Sequence, residues 1–181
     1  MIKAPHMLLL GSESRHAGKT YFACAVIAEF APRHTIVGVK VTPGWAHDYT
    51  ITEEPLVGEG TDTQRLLEAG AHRAYWVRTS PACLAQAAAE LLDAIGDTAL
   101  IVAESTGLRR VVEPGVFLIF RRDGETDVKA SARAVQQHAD RVVVFDGHAF
   151  DLAVDDLAVI AGRWTLRRNG ADAHDNQGAT D

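Results

Sequence analysis

The chain has 181 residues, of which 47% are hydrophobic and 23% charged, and its formal net charge is -6. This length and composition are typical of one globular domain that needs no disulfides to stabilise its core. The negative charge argues against the basic surface that nucleic-acid binding requires. No apolar run is long enough for a membrane span or a secretion signal, so we expect a cytoplasmic protein without a membrane partner.

Short apolar runs alternate with amphipathic segments along the chain. Strands are predicted at residues 6–11, 34–41, 72–78, 98–105, 115–120 and 141–147, with an edge strand at 162–168. Helices are predicted at residues 18–31, 61–70, 80–95, 127–140 and 149–161. Continuous apolar strands between helices indicate a three-layer α/β fold, in which a mostly parallel sheet carries helices on both faces. We expect residues 1–168 to form this single domain and the polar tail at 169–181 to be disordered.

Residues 42–60 are rich in glycine and proline and are predicted to form a long loop. Loops of this length inside a compact domain are usually functional. Ligands of parallel sheets bind beyond the carboxyl ends of the strands, and this loop follows the end of the second predicted strand. It is therefore expected to lie on the ligand side of the sheet.

The segment GSESRHAGKT, at residues 11–20, lies between the first predicted strand and the first predicted helix. It ends like a phosphate-binding loop, in which the lysine reaches the β- and γ-phosphates and the threonine hydroxyl holds Mg²⁺. Gly18 lets the backbone approach a phosphate, and the unpaired N–H groups at the start of a helix attract an anion. We therefore predict a Mg²⁺-dependent site for ATP or GTP. The residues expected to contact the nucleotide are Gly11, Ser14, Arg15, His16, Ala17, Gly18, Lys19, Thr20 and Tyr21.

One position departs from the usual loop pattern, because Glu13 stands where the first glycine is expected. Gly11 is the nearest upstream glycine, so we expect a lengthened loop in which Gly11 adopts the unusual backbone angles. A carboxylate repels a triphosphate, so Glu13 is expected to turn toward the cleft that faces residues 42–60. There Glu13 or His16 would face a nucleophile or a second ligand.

Glu104 lies at the carboxyl end of the apolar run TALIVAES. An acid in this position can hold Mg²⁺ or orient an attacking water, and the alternative is a simple cap for the following turn. Lys19 and Glu104 are the predicted catalytic residues, and Thr20 and Glu104 are the predicted metal ligands.

Several polar residues beyond the second strand are candidates to face a second ligand. They are Lys40 at the end of the strand, His47 and Asp48 in the long loop, and Asp62 at the start of the next helix. The alternative is that Lys40 is a surface lysine whose charged end extends into solvent and binds no ligand.

Together, the segments GSESRHAGKT, VKVTPGWAHDYTI, GTDTQRLLEAGAHRAYWVR and IVAESTG resemble the P-loop proteins of molybdopterin-guanine dinucleotide biosynthesis, protein B. The resemblance covers roughly residues 7–120. It implies a P-loop NTPase fold, a homodimer, and an accessory role beside a cofactor-biosynthesis enzyme. The same layout is similar to dethiobiotin synthetase, in which a strand-end lysine begins a turn like the one at residues 40–44.

The sequence leaves three functions open. The leading hypothesis is a nucleoside triphosphate-binding accessory protein with slow hydrolysis. The alternatives are an ATP-dependent small-molecule kinase or dethiobiotin-synthetase-like ligase, whose acceptor is held by the 42–60 loop, and a non-catalytic nucleotide-binding module in which Glu13 has inactivated the loop. The stretch VVVFDGHAF lacks an N-K-x-D guanine signature, so the choice between ATP and GTP is open as well.

Overall fold

Strands and helices alternate in the computed structural model, which describes residues 1–14, 16–44, 47–55 and 60–167. The strands are β1 (Ile2–Ser12), β2 (Ile36–Pro43), β3 (Tyr49–Glu53), β4 (Arg73–Thr79), β5 (Leu100–Glu104), β6 (Val112–Arg122), β7 (Arg141–Phe145), β8 (Leu157–Ile160) and β9 (Arg163–Leu166). The helices are α1 (Lys19–Phe30), α2 (Asp62–Glu68), α3 (Leu84–Ile95) and α4 (Ala130–Arg133). Single 3₁₀ turns lie at Gly107–Arg110, Gln136–His138 and Val154–Asp156.

Seven strands form one sheet in the order β3-β4-β2-β5-β1-β6-β7. All neighbouring strands are parallel except β3, which runs antiparallel to β4 at one edge. β1 lies between β5 and β6, so Leu8 is paired with Val102 on one side and Val116 on the other. The predicted α/β architecture with a mainly parallel sheet is thus confirmed.

Helices cover both faces of the sheet because the side chains of β1 are apolar on both faces. Leu8 and Leu10 pack in the core beneath α1 and α2, whereas Met7 and Leu9 pack in the core beneath α3. Successive strand residues point to opposite faces, so a continuous apolar run needs cover on both. Each fully buried leucine contributes roughly 1.5–3 kcal/mol to folding.

The prediction of a helix at residues 149–161 is wrong. Its second half is strand β8, which forms an antiparallel hairpin with β9 outside the main sheet. The turn between them places Ala161 and Gly162 at φ values of 50° and 73°, as two-residue hairpin turns require. The hairpin is anchored by Trp164, whose ring meets the ring of Phe30 on α1 edge to face at 4.9 Å. This distant contact overrides the local helical pattern.

Two further predictions need correction. Residues 42–60 are not wholly a loop, because they contain β3, whose Ile51 is paired with Val77 and packs on the second core. The predicted helix at 127–140 is reduced to the single turn α4 and one 3₁₀ turn. Both segments lie at the ends of the sheet, where pairing and packing partners come from distant parts of the chain. The predicted disorder of residues 169–181 concerns a segment outside the described residues.

No helix in the described part of the chain combines the length and the apolar character that a membrane crossing demands.

Candidate functional site

Three charged side chains meet at the carboxyl ends of the central strands. β5 lies between β1 and β2, so its last residue, Glu104, is paired with Leu10 on one side and Lys40 on the other. α1 begins after the end of β1 and brings Lys19 and Thr20 to the same place. The strand order therefore assembles residues that are up to 85 positions apart in sequence, from Lys19 to Glu104.

Glu104 is the centre of this group and is only 1% exposed. Its Oε2 accepts hydrogen bonds from the Thr20 hydroxyl at 3.0 Å and from Lys40 Nζ at 2.9 Å. Lys40 Nζ also lies 2.7 Å from Asp62 Oδ2. The other carboxylate oxygen, Oε1, is buried without a hydrogen-bond partner among the described residues. A buried carboxylate oxygen left unpaired is costly, which makes this atom a candidate ligand-binding group.

Lys40 keeps its positive charge in this environment. Burial lowers the pKa of Lys40, but the charge of Glu104 and hydrogen bonds with Asp62 and Glu104 outweigh it, so the net shift is upward. Lys40 is therefore a fixed cation at the site rather than a lysine that only extends into solvent.

For Lys19 burial outweighs the attraction of nearby acids, so its pKa is lowered. Its Nζ donates a hydrogen bond to Ser12 Oγ at 2.7 Å. Burial lowers the pKa of Lys19 to about 8; Glu104 opposes this shift, while Lys40 and Lys129 reinforce it. An ammonium group that has lost water and faces other cations is stabilised by an incoming anion. Lys19 is thus prepared for an anionic ligand.

The left-handed backbone angles lie at the end of the loop and not at Gly11. His16 and Gly18 have φ values of 57° and 77°. A Cβ on Gly18 would also come within 2.8 Å of the Phe150 ring, so both conformation and space require glycine there. Gly11 is an ordinary residue of β1, paired with Ile119, and its φ is not positive. The predicted unusual angles at Gly11 are therefore wrong.

The predicted orientation of Glu13 is wrong as well. Its side chain is buried and forms a two-pronged ion pair with Arg121 of β6, at 2.5 Å and 3.1 Å. Its backbone N–H donates to the Phe120 carbonyl, and its own carbonyl accepts from Lys129 N–H. After β1 the chain thus continues along β6, on the side of β1 opposite to β2 and the 42–60 segment. Arg121 balances the carboxylate charge, which removes the repulsion expected from the sequence.

The Glu13–Arg121 pair should respond unequally to removal of either partner. We expect Arg121→Met to lower the free energy of unfolding by about 2 kcal/mol, because it leaves a buried carboxylate without its cation. Glu13→Gln should cost only about 1 kcal/mol, because the half-exposed Arg121 can be solvated. Urea denaturation of the two variants measures both values. Equal or reversed costs would contradict the buried placement of Glu13.

The other residues predicted to contact nucleotide are scattered around the loop. Ser14 and Ala17 are buried, and Ser14 Oγ has no partner among the described residues. His16 is exposed. Tyr21 is 61% exposed, and its ring lies 6.1 Å from that of Phe150. Arg15 lies outside the described residues.

His47 and Asp48 are exposed. Asp48 accepts a hydrogen bond from the N–H of Tyr49 at 2.7 Å and lines a separate small hollow. Neither residue lines the main cavity described below, so their role toward a second ligand stays a prediction. In the described ranges no three His, Cys, Asp or Glu side chains are grouped to hold a metal.

A cavity of about 610 Å³ opens at the carboxyl ends of β1, β2, β4 and β5. Its size is typical of small-molecule sites. The lining residues are Ser12, Lys19, Lys40, Val41, Thr42, Pro43, Thr79, Ser80, Pro81, Leu84, Glu104, Ser105, Thr106, Gly107, Arg110, Lys129 and Ser131. Of the described residues predicted to contact nucleotide, only Lys19 is among them. Ser12 also lines the cavity from the segment at 11–20.

Several lining residues were missed by the sequence reasoning. Ser12 ends β1 and Ser80 follows β4, so the strand-end rule applied to every strand would have found both. Arg110, beside Arg109, and Lys129 carry no local signal, because an isolated lysine or a lone Arg-Arg pair is usually solvated at the surface. They reach the cavity only through the path of the chain after β5 and after β6.

Comparison of the chain with protein-family models, with curated proteins and with solved structures found no match. Its function is therefore argued from the chemistry of the site.

Proposed function

We propose that the chain is a Mg²⁺-dependent nucleoside triphosphate-binding protein of the P-loop type, with slow hydrolysis. The observation that carries the proposal is the arrangement at the start of α1. There a partly buried Lys19 lies beside a threonine whose hydroxyl is bonded to the buried Glu104. A lysine, a hydroxyl and a strand-end acid around a helix amino terminus are the groups that triphosphate binding uses.

Each group has a role in holding the phosphates. The unpaired N–H groups at the start of α1 favour negative charge, and Gly18 provides the left-handed turn into the helix. Lys19 would exchange its hydrogen bond with the Ser12 hydroxyl for a stronger one with phosphate oxygens. This exchange also restores a full charge to an ammonium group that burial has made a weaker base.

The residues present fit a Mg²⁺ ion. Mg²⁺ prefers oxygen ligands and is usually bound by one or two carboxylates together with substrate phosphates. Thr20 Oγ1 and Glu104 supply such oxygens, and the unpaired Oε1 of Glu104 is available without breaking an existing hydrogen bond. When bound, the ion would neutralise charge on the phosphate oxygens.

Hydrolysis requires a water oxygen to attack the γ-phosphorus while the bond to the β–γ bridging oxygen breaks. Lys19 and Lys40 would balance the negative charge of the phosphoryl group. Glu104 Oε1 is a buried acceptor that can hold and orient a water proton. In this proposal Glu104 holds the metal or orients the attacking water.

A thermal-shift screen of ATP, GTP and CTP, each with and without Mg²⁺, tests the proposal. A ligand present at 100 times its Kd stabilises the folded state by about 2.7 kcal/mol. We expect ATP or GTP to raise the melting temperature, with a larger rise when Mg²⁺ is present. If none of the three nucleotides changes the melting temperature, the proposal fails.

A second candidate, a small-molecule kinase or ATP-dependent ligase, is favoured by the cavity that extends from Lys19 beyond the loop. In a kinase an acceptor oxygen or nitrogen in this cavity would attack the γ-phosphorus, and the nucleoside diphosphate would leave. Phosphate release without any added acceptor favours the hydrolase, and turnover only with an acceptor favours the kinase or ligase. Tight binding without either reaction would favour the non-catalytic module.

We further propose that the protein works in the cytoplasm as a homodimeric accessory to an enzyme of molybdopterin-type cofactor synthesis. The support for this part is the sequence resemblance described above. Pull-down of the chain with the enzymes of that synthesis, and its mass in solution, are the direct measurements.

Proton uptake on nucleotide binding is a further expected result. Because the pKa of free Lys19 is lowered to about 8, the side chain is largely neutral at pH 9, and a bound triphosphate would raise its pKa. Binding at pH 9 should then take up close to one proton, and binding at pH 6.5 almost none from this group. Calorimetry in buffers of different ionisation enthalpy measures the uptake. Uptake that persists in Lys19→Met would assign the proton to another group.

A further inference from the structure

The main cavity is larger than the predicted phosphate loop accounts for. Ser14, His16, Ala17, Gly18 and Thr20 do not line it, and the described residues of the segment at 11–20 contribute only Ser12 and Lys19. The other lining residues come from the ends of β2, β4 and β5 and from the segments that follow β4, β5 and β6. A triphosphate bound through Lys19 and Glu104 would share this cavity with a second molecule, which would contact the lining residues from the other segments.

The charges around the cavity select the kind of molecule. Four of the described lining residues are cations, Lys19, Lys40, Arg110 and Lys129, and one, Glu104, is an acid. Lys40 is paired with Glu104 and Asp62. Arg110 is exposed and has neither an ion pair nor a side-chain hydrogen bond within the described part of the chain. Such an excess of positive charge favours an anion.

Two serine hydroxyls that line the same cavity as Arg110 can donate. Ser80 Oγ accepts a hydrogen bond from Cys83 N–H, and Ser105 Oγ accepts one from Leu108 N–H. A hydroxyl that already accepts still has its own proton to donate. Arg110 offers a planar set of N–H donors that matches a carboxylate or phosphate.

Four of the other lining residues are apolar. Val41 and Pro43 line the cavity from β2, and Pro81 and Leu84 line it from the start of α3. Such a surface suits the aliphatic or aromatic part of an organic ligand. It gives no advantage to a bare inorganic ion.

We propose that this part of the cavity binds a small organic anion, whose carboxylate or phosphate group lies on Arg110, Ser80 and Ser105 and whose apolar body packs on the four apolar residues. This inference rests on the proposed function, because it names the second ligand of the same site. It moves the expected contact with that ligand from His47 and Asp48 to residues that follow β4 and β5.

The experiment uses probes that share one apolar body. The full chain, saturated with Mg²⁺ and a non-hydrolysable triphosphate, is titrated with pentanoate, pentyl phosphate and pentylamine while backbone amide resonances are recorded. We expect at least one of the two anions to shift the amides of Ser80, Ser105 and Arg110, and pentylamine to leave them unchanged. The anion that binds more tightly shows whether carboxylate or phosphate is the preferred group.

Variants of Arg110 sharpen the test. Arg110→Gln should weaken binding of the preferred anion roughly tenfold or more. Arg110→Lys keeps the positive charge, so its affinity for that anion should fall by less. Arg122→Gln removes an exposed arginine that does not line the cavity and should bind like the unmodified chain. The inference is overturned if neither anion binds, if pentylamine binds as well as the anions, or if Arg110→Gln and Arg122→Gln behave alike.

The outcome is separable from the fate of the proposed function. Triphosphate binding without binding of either anion would refute only this inference. Binding of an anion that depends on Arg110, in a chain that shows no triphosphate binding, would support this inference and refute the proposed function.

Discussion

Glu104→Gln should lower triphosphate hydrolysis, or transfer to an acceptor, by about a hundredfold or more, because it removes the only acid among the described residues that line the cavity. The substitution keeps the size of the side chain and leaves an oxygen to accept from Thr20 and Lys40, so nucleotide affinity measured without Mg²⁺ should stay within a few-fold. Lys40 retains Asp62 as a partner at 2.7 Å, which limits the loss of stability. Single-turnover rates and equilibrium titration separate the two effects.

Glu113→Gln is the matched control, because Glu113 is exposed near the amino-terminal end of β6 and lies outside the cavity lining. It should leave both turnover and affinity unchanged. If Glu104→Gln turns over as fast as this control, Glu104 serves only the packing of the strand end and the turn that follows it.

Lys19→Ala should reduce nucleotide affinity by roughly ten- to a hundredfold. A charge-assisted hydrogen bond to phosphate contributes about 1.5–3 kcal/mol, and this is the interaction that the substitution removes. The fold should remain intact, because burial of Lys19 already weakens its charged form and its one hydrogen bond goes to the Ser12 hydroxyl. Calorimetric titration with ATP and GTP gives the affinity, and thermal melting without nucleotide checks the fold.

Lys3→Ala provides the comparison for this experiment, since Lys3 is exposed near the start of β1, at the other end of the strand from the loop. A lysine there contributes only to the overall charge. Equal affinities of the two variants for ATP and GTP would exclude Lys19 from the nucleotide site and with it the phosphate-loop assignment.

Six of the seven strands of the main sheet could be predicted from local sequence; the exception is the edge strand β3. The stretches MLLL within HMLLLG and ALIVA within TALIVAES are apolar at every position, which is typical of a strand covered on both faces. The strand–loop–helix context around Gly18 and Lys19 was local as well, and so was the position of Glu104 at a strand end. Those features depend on neighbours in the chain, which is why they follow from the sequence.

The remaining features depend on contacts between distant segments. Glu13 is paired with Arg121, which is 108 positions away, and no local pattern indicates such a partner. The hairpin of β8 and β9 exists because Trp164 packs on Phe30, although its first strand reads as part of a helix. Arg110 and Lys129 reach the cavity only because the strand order brings the segments after β5 and β6 beside α1. Sequence periodicity reports which face of an element is buried, whereas the partner across that face is decided by the topology of the whole chain.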